Sequence, residues 1–129
     1  MRSRGIRLEL RPLGALMVQA DPDALAQVLG NLLQNAARYT PEAGRVTVWT
    51  EPGEGFATVS VSNTGPGIPA PDMPHVFERF YRVDKSRSTA GGGAGIGLAI
   101  VRMLVEAGGG TVGAESADGL TRFWFTVPT

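Results

Sequence analysis

The sequence contains no cysteine and a single histidine, His75. The absence of cysteine excludes disulfides, thiol catalysis and thiolate metal sites. One histidine is too few for a histidine-based metal cage and makes a Ser-His-Asp catalytic arrangement hard to build. Function classes that depend on these side chains are therefore excluded or disfavoured.

Long apolar runs and an excess of either charge are also missing. The 12 basic and 12 acidic side chains balance, which argues against a broad electrostatic surface for nucleic acid or an anionic membrane. The longest apolar run, residues 94–101, contains two glycines and is far too short to cross a bilayer. No long apolar stretch follows the basic N terminus, so no signal peptide is indicated. We therefore expect one soluble, cytoplasmic domain over residues 1–129, without nucleic-acid or membrane contacts.

Glycine is the residue in excess. The sequence has 18 glycines, against about nine for an average usage of about 7%. Ten of the 18 fall in three short stretches, residues 65–67, 91–97 and 108–110. Clustered glycine indicates backbone that bends sharply or approaches another group closely. We expect the functional site at these stretches.

Apolar periodicity predicts two main helices. The first has an N-cap at Asp21, proline at its first position, apolar residues at helical spacing, and an end before Pro41. The second runs over residues 96–107 and stops at the triple glycine, which suits a left-handed C-cap. The irregular region between them, residues 63–94, is expected to hold at most a short helical turn near residues 74–80.

Alternating patterns predict three hairpins. Residues 6–10 pair with 16–20, residues 45–50 pair with 56–62, and residues 111–115 pair with 120–127 through a turn at Asp118-Gly119. Strands at both ends with helices between them predict an α/β (α+β) two-layer sandwich, in which helices cover one face of a mixed sheet.

The polar face of the first helix is a candidate site. Asn31 and Asn35 lie one turn apart, so their amides project to the same side and could converge on one ligand or ion. Amide oxygens suit hard cations such as Mg²⁺. Arg38 and Tyr39 would place a cation and a phenol beside that ion, which favours Mg²⁺ with phosphate. A solvated helix face also explains this stripe, and both interpretations stay open.

The glycine stretches differ in what they indicate. Residues 91–97 open a helix whose free backbone N–H groups could bind an anion. They lack the Gly-Lys-Ser/Thr ending of a P-loop, and no strand precedes them as in a Rossmann fold. The Gly65-Pro66-Gly67 sequence after a strand is by itself also typical of a plain turn. Four cations between residues 79 and 87 indicate either a solvated loop or a lid over a polyphosphate.

In this order the segments resemble the four boxes of the ATP-binding catalytic domain of sensor histidine kinases, in the GHKL superfamily. Residues 27–41 look like the N box and residues 63–69 like the first glycine box. Residues 76–82 look like the F box and residues 93–101 like the second glycine box. The resemblance spans residues 21–127 and implies a Bergerat fold. That fold has a mixed, mostly antiparallel sheet of about five strands with about three helices on one face.

The resemblance also implies a role for each matching residue. Asn35 would ligate Mg²⁺, and Arg82 would position the γ-phosphate of ATP. Residues 77–94 would form a flexible ATP lid. The remaining nucleotide-binding residues are those beside the triphosphate (Asn31, Arg38, Tyr39), those around adenine (Asn63, Gly65, Gly67, Thr121) and those at the start of the second helix (Gly93, Gly95, Gly97, Leu98).

Two residues depart from the family pattern. Asn63 stands where the family usually has the aspartate that accepts a hydrogen bond from the adenine amino group. We expect ATP binding weaker by about 1–3 kcal/mol, or relaxed discrimination against guanine, because an amide exchanges one acceptor for a donor. Gly108 stands where the family often has histidine, a difference expected to matter little.

The resemblance implies a domain that binds Mg-ATP and presents the γ-phosphate to a histidine on a separate dimerisation domain of a two-component kinase. That phosphoacceptor domain is absent from this sequence, His75 is expected to be an incidental surface residue, and a response regulator would act downstream. Related ATPases carry a water-activating glutamate at the position that Asn31 occupies in this sequence. The amide of Asn31 cannot act as a base near neutral pH, so transfer is favoured over hydrolysis. The alternative is a degenerate nucleotide-sensing or interaction module.

Overall fold

The computed structural model describes residues 7–11, 18–79 and 97–129. Within these ranges it contains five strands, two α-helices and one 3₁₀ helix. In chain order they are β1 (Arg7–Arg11), α1 (Pro22–Tyr39), β2 (Arg45–Pro52), β3 (Phe56–Thr64), the 3₁₀ helix (Ala70–His75), α2 (Gly97–Ala107), β4 (Val112–Ala117) and β5 (Leu120–Pro128). The predicted two-layer α+β fold with about five strands is confirmed. No helix among the described residues is long and apolar enough to cross a membrane.

The five strands form one sheet in the order β1-β2-β3-β5-β4. The hairpins β2–β3 and β4–β5 are antiparallel, as predicted, and so is the central β3–β5 pair. The predicted hairpin of residues 6–10 with 16–20 is wrong, because β1 pairs in parallel with β2 and residues 18–20 form no strand. Gln19 N instead donates to Pro128 O at 2.8 Å. Alternation identifies a strand, but it does not specify which neighbour the strand pairs with.

The hydrophobic core lies between the two α-helices and one face of the sheet. Each helix contributes an apolar stripe, and strands β2, β3 and β5 contribute alternate residues. The buried members are Val28, Leu32, Ala36, Val46, Val61, Val76, Val101, Val105, Phe123, Phe125 and Val127. We call this side of the sheet its inner face.

Both predicted helix caps are present. The Asp21 carboxylate accepts a hydrogen bond from Ala24 N at 2.9 Å and so satisfies a free donor of the first turn of α1. At the end of α2, Gly110 N donates to Val105 O at 2.9 Å, and Gly109 has a φ of +90°. These two features define a Schellman motif, which needs a left-handed residue and therefore favours glycine. The short helical turn lies at Ala70–His75, slightly earlier than predicted.

The outer face of the sheet has no helix over it in the described structure and is covered by its own long side chains. The Arg122 guanidinium lies 5.9 Å from the ring centroids of both Trp49 and Trp124. Its Nε donates to Ser60 Oγ at 3.1 Å, and its Nη1 lies 3.2 Å from a Glu115 oxygen. This packing explains how Ser60 is fully buried on a face without helices.

Candidate functional site

A buried polar pair lies on the inner face of the sheet, where an apolar pair would be expected. Asn63 on β3 is directly opposite Thr121 on β5, and each is 4% exposed. The next pair on the same face is Val61 with Phe123, which belongs to the core. Burying polar groups costs free energy unless they are hydrogen-bonded. The two residues therefore mark the point where the core gives way to a polar site.

The two polar atoms of the Asn63 amide, Nδ2 and Oδ1, differ in their hydrogen bonding. Asn63 Nδ2 donates to Thr64 O at 3.1 Å, whereas Oδ1 has no hydrogen-bond partner among the described residues. No fully buried side-chain nitrogen or oxygen in the described structure lacks a partner, so Oδ1 reaches accessible surface. The side chain therefore offers Oδ1 to a ligand as an acceptor, and its Nδ2 keeps a second N–H beside the one that Thr64 O accepts.

Gly65 and Gly67 form a loop directly after β3. Gly65 N donates to Gly119 O at 3.0 Å, which joins the loop to the β4–β5 turn. Gly67 has a φ of +85°, and a Cβ there would lie 2.7 Å from Ser116 Oγ. A Cβ on Gly65 would lie 3.0 Å from Tyr39 O, at the end of α1. The loop is thus held closely between a helix end and a hairpin, and a groove of about 460 Å³ lies between residues 66–69 and 116–119.

The polar stripe of α1 faces this loop and the start of α2. Asn31 Nδ2 donates to Gly97 O at 3.2 Å and so joins the N box to the second glycine box. Asn35 is half-buried one turn further on, whereas Arg38 and Tyr39 are exposed near the loop. The structure thus brings Asn31 to Gly97, Tyr39 to Gly65, and Asn63 to Thr121. Leu98 packs partly buried against the core.

Part of the predicted site lies outside the described residues. Arg82, Gly93 and Gly95 are among these, as is the predicted lid beyond residue 79. The start of the F box is described, and the Phe77 ring meets the Phe123 ring edge to face, with centroids 6.0 Å apart. That contact anchors the F box beside the strand that carries Thr121.

The donors at this site suit a divalent cation that also binds water and phosphate oxygens. The described residues contain no group of three or more His, Cys, Asp or Glu side chains that could hold a metal ion. Asn35 can supply one amide oxygen. Mg²⁺ prefers oxygen ligands and commonly combines few protein ligands with water and substrate phosphates. The donor set therefore suits a cation that arrives with a phosphate ligand.

Ser116 belongs to the site but is not among the residues that the sequence predicts. Its Oγ accepts a hydrogen bond from Ile68 N at 2.9 Å and lies 3.0 Å from Thr121 Oγ1. Alternation along β4 places Ser116 on the inner face with Val112 and Ala114, directly opposite Thr121. A polar residue ending an apolar alternation, opposite a predicted site residue, is the signal that identifies it.

The fold and the site together define a class of protein. A helix-covered mixed sheet, a buried Asn–Thr pair, a closely packed glycine loop and an amide-bearing helix are the parts expected of a nucleotide-binding domain of the Bergerat type. The sequence profile of the histidine kinase-, DNA gyrase B- and HSP90-like ATPases matches residues 20–129. The chain belongs to this family, and within it to the ATP-binding catalytic domains of histidine kinases.

Individual relatives agree with this placement. The sensor histidine kinase WalK of Bacillus subtilis (strain 168) is 45% identical over 116 residues, which cover 88% of this chain and 19% of WalK. The catalytic domain of the histidine kinase ThkA is similar in structure, with a TM-score of 0.85 and 31% identity over 97% of this chain and 80% of that one. Full-length ShkA in complex with AMPPNP is also similar in structure, with a TM-score of 0.83 and 36% identity over 97% of this chain and 26% of that one. The chain spans about a fifth of the length of WalK.

Proposed function

We propose that the chain binds Mg-ATP and presents its γ-phosphate for transfer to a histidine on a separate dimerisation domain of a two-component sensor kinase. The observation that best supports this proposal is the buried pair of Asn63 and Thr121. Their polar groups lie at the edge of the core, beside the first glycine loop. The structural similarity to ShkA, which was solved with AMPPNP, supports the same assignment. A response regulator would act downstream, and the domain would lie in the cytoplasm.

Each part of the site has a task in this proposal. Asn63 Oδ1 accepts a hydrogen bond from the adenine amino group, and the loop of Gly65 and Gly67 lies against the base. Arg38 and Tyr39 lie at the end of α1, next to this loop. Their guanidinium and phenol groups would bind the phosphates. When bound, Mg²⁺ would neutralise phosphate charge, with Asn35 as its protein ligand. The roles of Arg82, Gly93 and Gly95 toward the phosphates stay predictions from the resemblance.

Transfer is favoured over hydrolysis by the chemistry of Asn31. An amide cannot accept a proton from water near neutral pH, so this residue cannot act as a general base. The Asn31 Nδ2 moreover donates a hydrogen bond to Gly97 O. This contact joins α1 to α2. Phosphoryl transfer needs mainly positioning and charge neutralisation, and the site can supply both.

Calorimetric titration with a non-hydrolysable ATP analogue tests the proposal. In Mg²⁺ the wild type should bind, and Asn35→Ala should bind at least about tenfold more weakly, as expected for loss of a ligand to a charged group. Gln34→Ala is the matched control, because Gln34 is the exposed neighbour of Asn35 on α1. With γ-labelled ATP and a separate dimerisation domain, label should appear on histidine. A folded wild type that binds no nucleotide would favour the interaction module instead.

A further inference from the structure

The turn after α1 joins the end of that helix to the end of β3. Gly44 N donates to Pro41 O at 2.9 Å, which closes the turn over residues 41–44. Arg45 N, the first amide of β2, donates to Thr64 Oγ1 at 2.9 Å. We call this connection, residues 41–45 together with Thr64, the clasp.

The backbone of the clasp leaves no room for an additional carbon atom. A Cβ on Gly44 would lie 2.5 Å from Thr40 Cγ2 and 2.8 Å from Thr64 Oγ1, so only glycine fits without a shift. Thr40 itself is 1% exposed, and its hydroxyl donates to Ala36 O in the last turn of α1. Ala43 has a φ of +65°, a left-handed conformation that a residue with a Cβ keeps only where its surroundings hold it. The contacts of the turn therefore fix its conformation.

The clasp lies between two parts of the candidate site that a nucleotide would bridge. On one side, Arg38 and Tyr39 are exposed in the last turn of α1, immediately before it. On the other side, the first glycine loop follows Thr64 directly, and a Cβ on Gly65 would lie 3.0 Å from Tyr39 O. The clasp thus sets the spacing between the groups proposed to bind phosphate and the loop proposed to lie against the base.

The glycine loop is also held from its opposite side. Gly65 N donates to Gly119 O at 3.0 Å, and Ile68 N donates to Ser116 Oγ at 2.9 Å. Both acceptors belong to the β4–β5 hairpin. A weakened clasp should therefore displace the end of α1 and leave the loop in place.

We infer that Thr64 is a positioning residue that holds the end of α1, and with it Arg38, at the distance from the glycine loop that a nucleotide requires. This inference rests on the proposed ATP binding. Thr64 acts through the Arg45 amide and is not itself a ligand for the base. Alternation along β3 places its side chain on the outer face of the sheet, opposite to that of Asn63.

A double-mutant cycle between Thr64 and Arg38 tests the inference, with a non-hydrolysable ATP analogue titrated in Mg²⁺ by calorimetry. Arg38→Ala should weaken binding at least about tenfold in the wild type, as expected for loss of a charged hydrogen bond. Thr64→Val keeps the side-chain shape and removes the acceptor, and it should weaken binding about three- to tenfold. In the Thr64→Val background, Arg38→Ala should weaken binding less than about threefold, because Arg38 is no longer held in place.

Matched variants separate the clasp from general effects of substitution. Thr58→Val makes the same change at a half-buried position on the same face of β3, and it should alter the affinity and the Arg38→Ala loss less than about twofold. Thr64→Ser keeps the hydroxyl and should bind as the wild type does. Gly44→Ala disturbs the clasp from its other side and should also reduce the Arg38→Ala loss. Gly30→Ala, whose Cβ meets no atom within 4 Å, is its control.

The other outcomes separate this inference from the proposed function. An unchanged affinity in Thr64→Val, or an equal Arg38→Ala loss in both backgrounds, overturns the positioning role and leaves ATP binding intact. An Arg38→Ala variant that binds as tightly as the wild type also overturns it, because Arg38 would then bind no phosphate. A folded wild type that does not bind the analogue overturns both. If Thr64→Val does not fold, Thr64→Ala removes the same hydroxyl and must show the same reduced loss.

Discussion

Asn63 shows how one side chain serves both the fold and the site. Asn63 is 4% exposed, and one N–H of its Nδ2 donates to Thr64 O at 3.1 Å and so satisfies the local backbone. Its Oδ1 is an acceptor that reaches the accessible surface. An aspartate would offer more acceptors to adenine but no donor to the Thr64 carbonyl.

Replacing Asn63 by aspartate should therefore have opposite effects on stability and on binding. We expect Asn63→Asp to lower the free energy of unfolding of the nucleotide-free domain by about 1–3 kcal/mol, because it places an acceptor against the partly buried Thr64 carbonyl. Urea denaturation followed by circular dichroism measures this. Calorimetry should show the ATP analogue bound more tightly by about 1–3 kcal/mol, because a carboxylate offers the adenine amino group more acceptor sites than an amide does. Gln34→Glu adds the same charge on the surface and should change neither quantity much.

Among the structural elements, α1 carries the N box and begins at a cap that a single residue supplies. The Asp21 carboxylate accepts from Ala24 N at 2.9 Å. Asp21→Ala should lower the free energy of unfolding by about 1 kcal/mol, since it leaves a first-turn donor without its side-chain partner. Asp23→Ala removes an equal charge from the same turn without removing the cap bond, so its cost should be smaller in the same urea titration. Equal costs for the two variants would mean that charge, and not the cap bond, stabilises this end.

The end of α2 depends on one left-handed residue. Gly109 has a φ of +90° within the Schellman motif. Gly109→Ala should lower the free energy of unfolding by about 1–2 kcal/mol, the cost of left-handed backbone for a residue with a Cβ. Gly108→Ala is the control, because a Cβ there meets its nearest atoms at an ordinary 3.6 Å. A thermal melt in which both variants lose the same stability would contradict this role for Gly109.

For the whole molecule, the two helices and the sheet share one core, so stability should be lost as a unit. Phe125 lies at the centre of that core and is 1% exposed. Phe125→Ala should cost about 3–5 kcal/mol, a large part of the roughly 5–15 kcal/mol that stabilises a typical domain. Circular dichroism and the fluorescence of Trp49 and Trp124 should report the same shifted transition. Phe56→Ala is the control, because Phe56 is 41% exposed and its loss should cost less. If the two probes report different transitions after Phe125→Ala, the sheet and the helices unfold independently.

The sequence by itself determined the features that depend on neighbouring residues. Helix ends at Asp21 and Gly109, two of the three hairpins and the turn at Asp118-Gly119 follow from caps, periodicity and turn chemistry, which act within a few residues. The four boxes were identifiable for the same reason, since each is a short continuous segment. The family placement needed no knowledge of the packing.

Only the tertiary structure decided which distant residues meet. It paired β1 in parallel with β2, brought Asn31 to Gly97, and placed Ser116 between Ile68 and Thr121. A strand pattern does not specify its partner, and Ser116 is recognisable as a site residue only once Thr121 is known to lie opposite it. These contacts arise when burial of the shared core forces separate segments together, and that burial is a property of the whole chain.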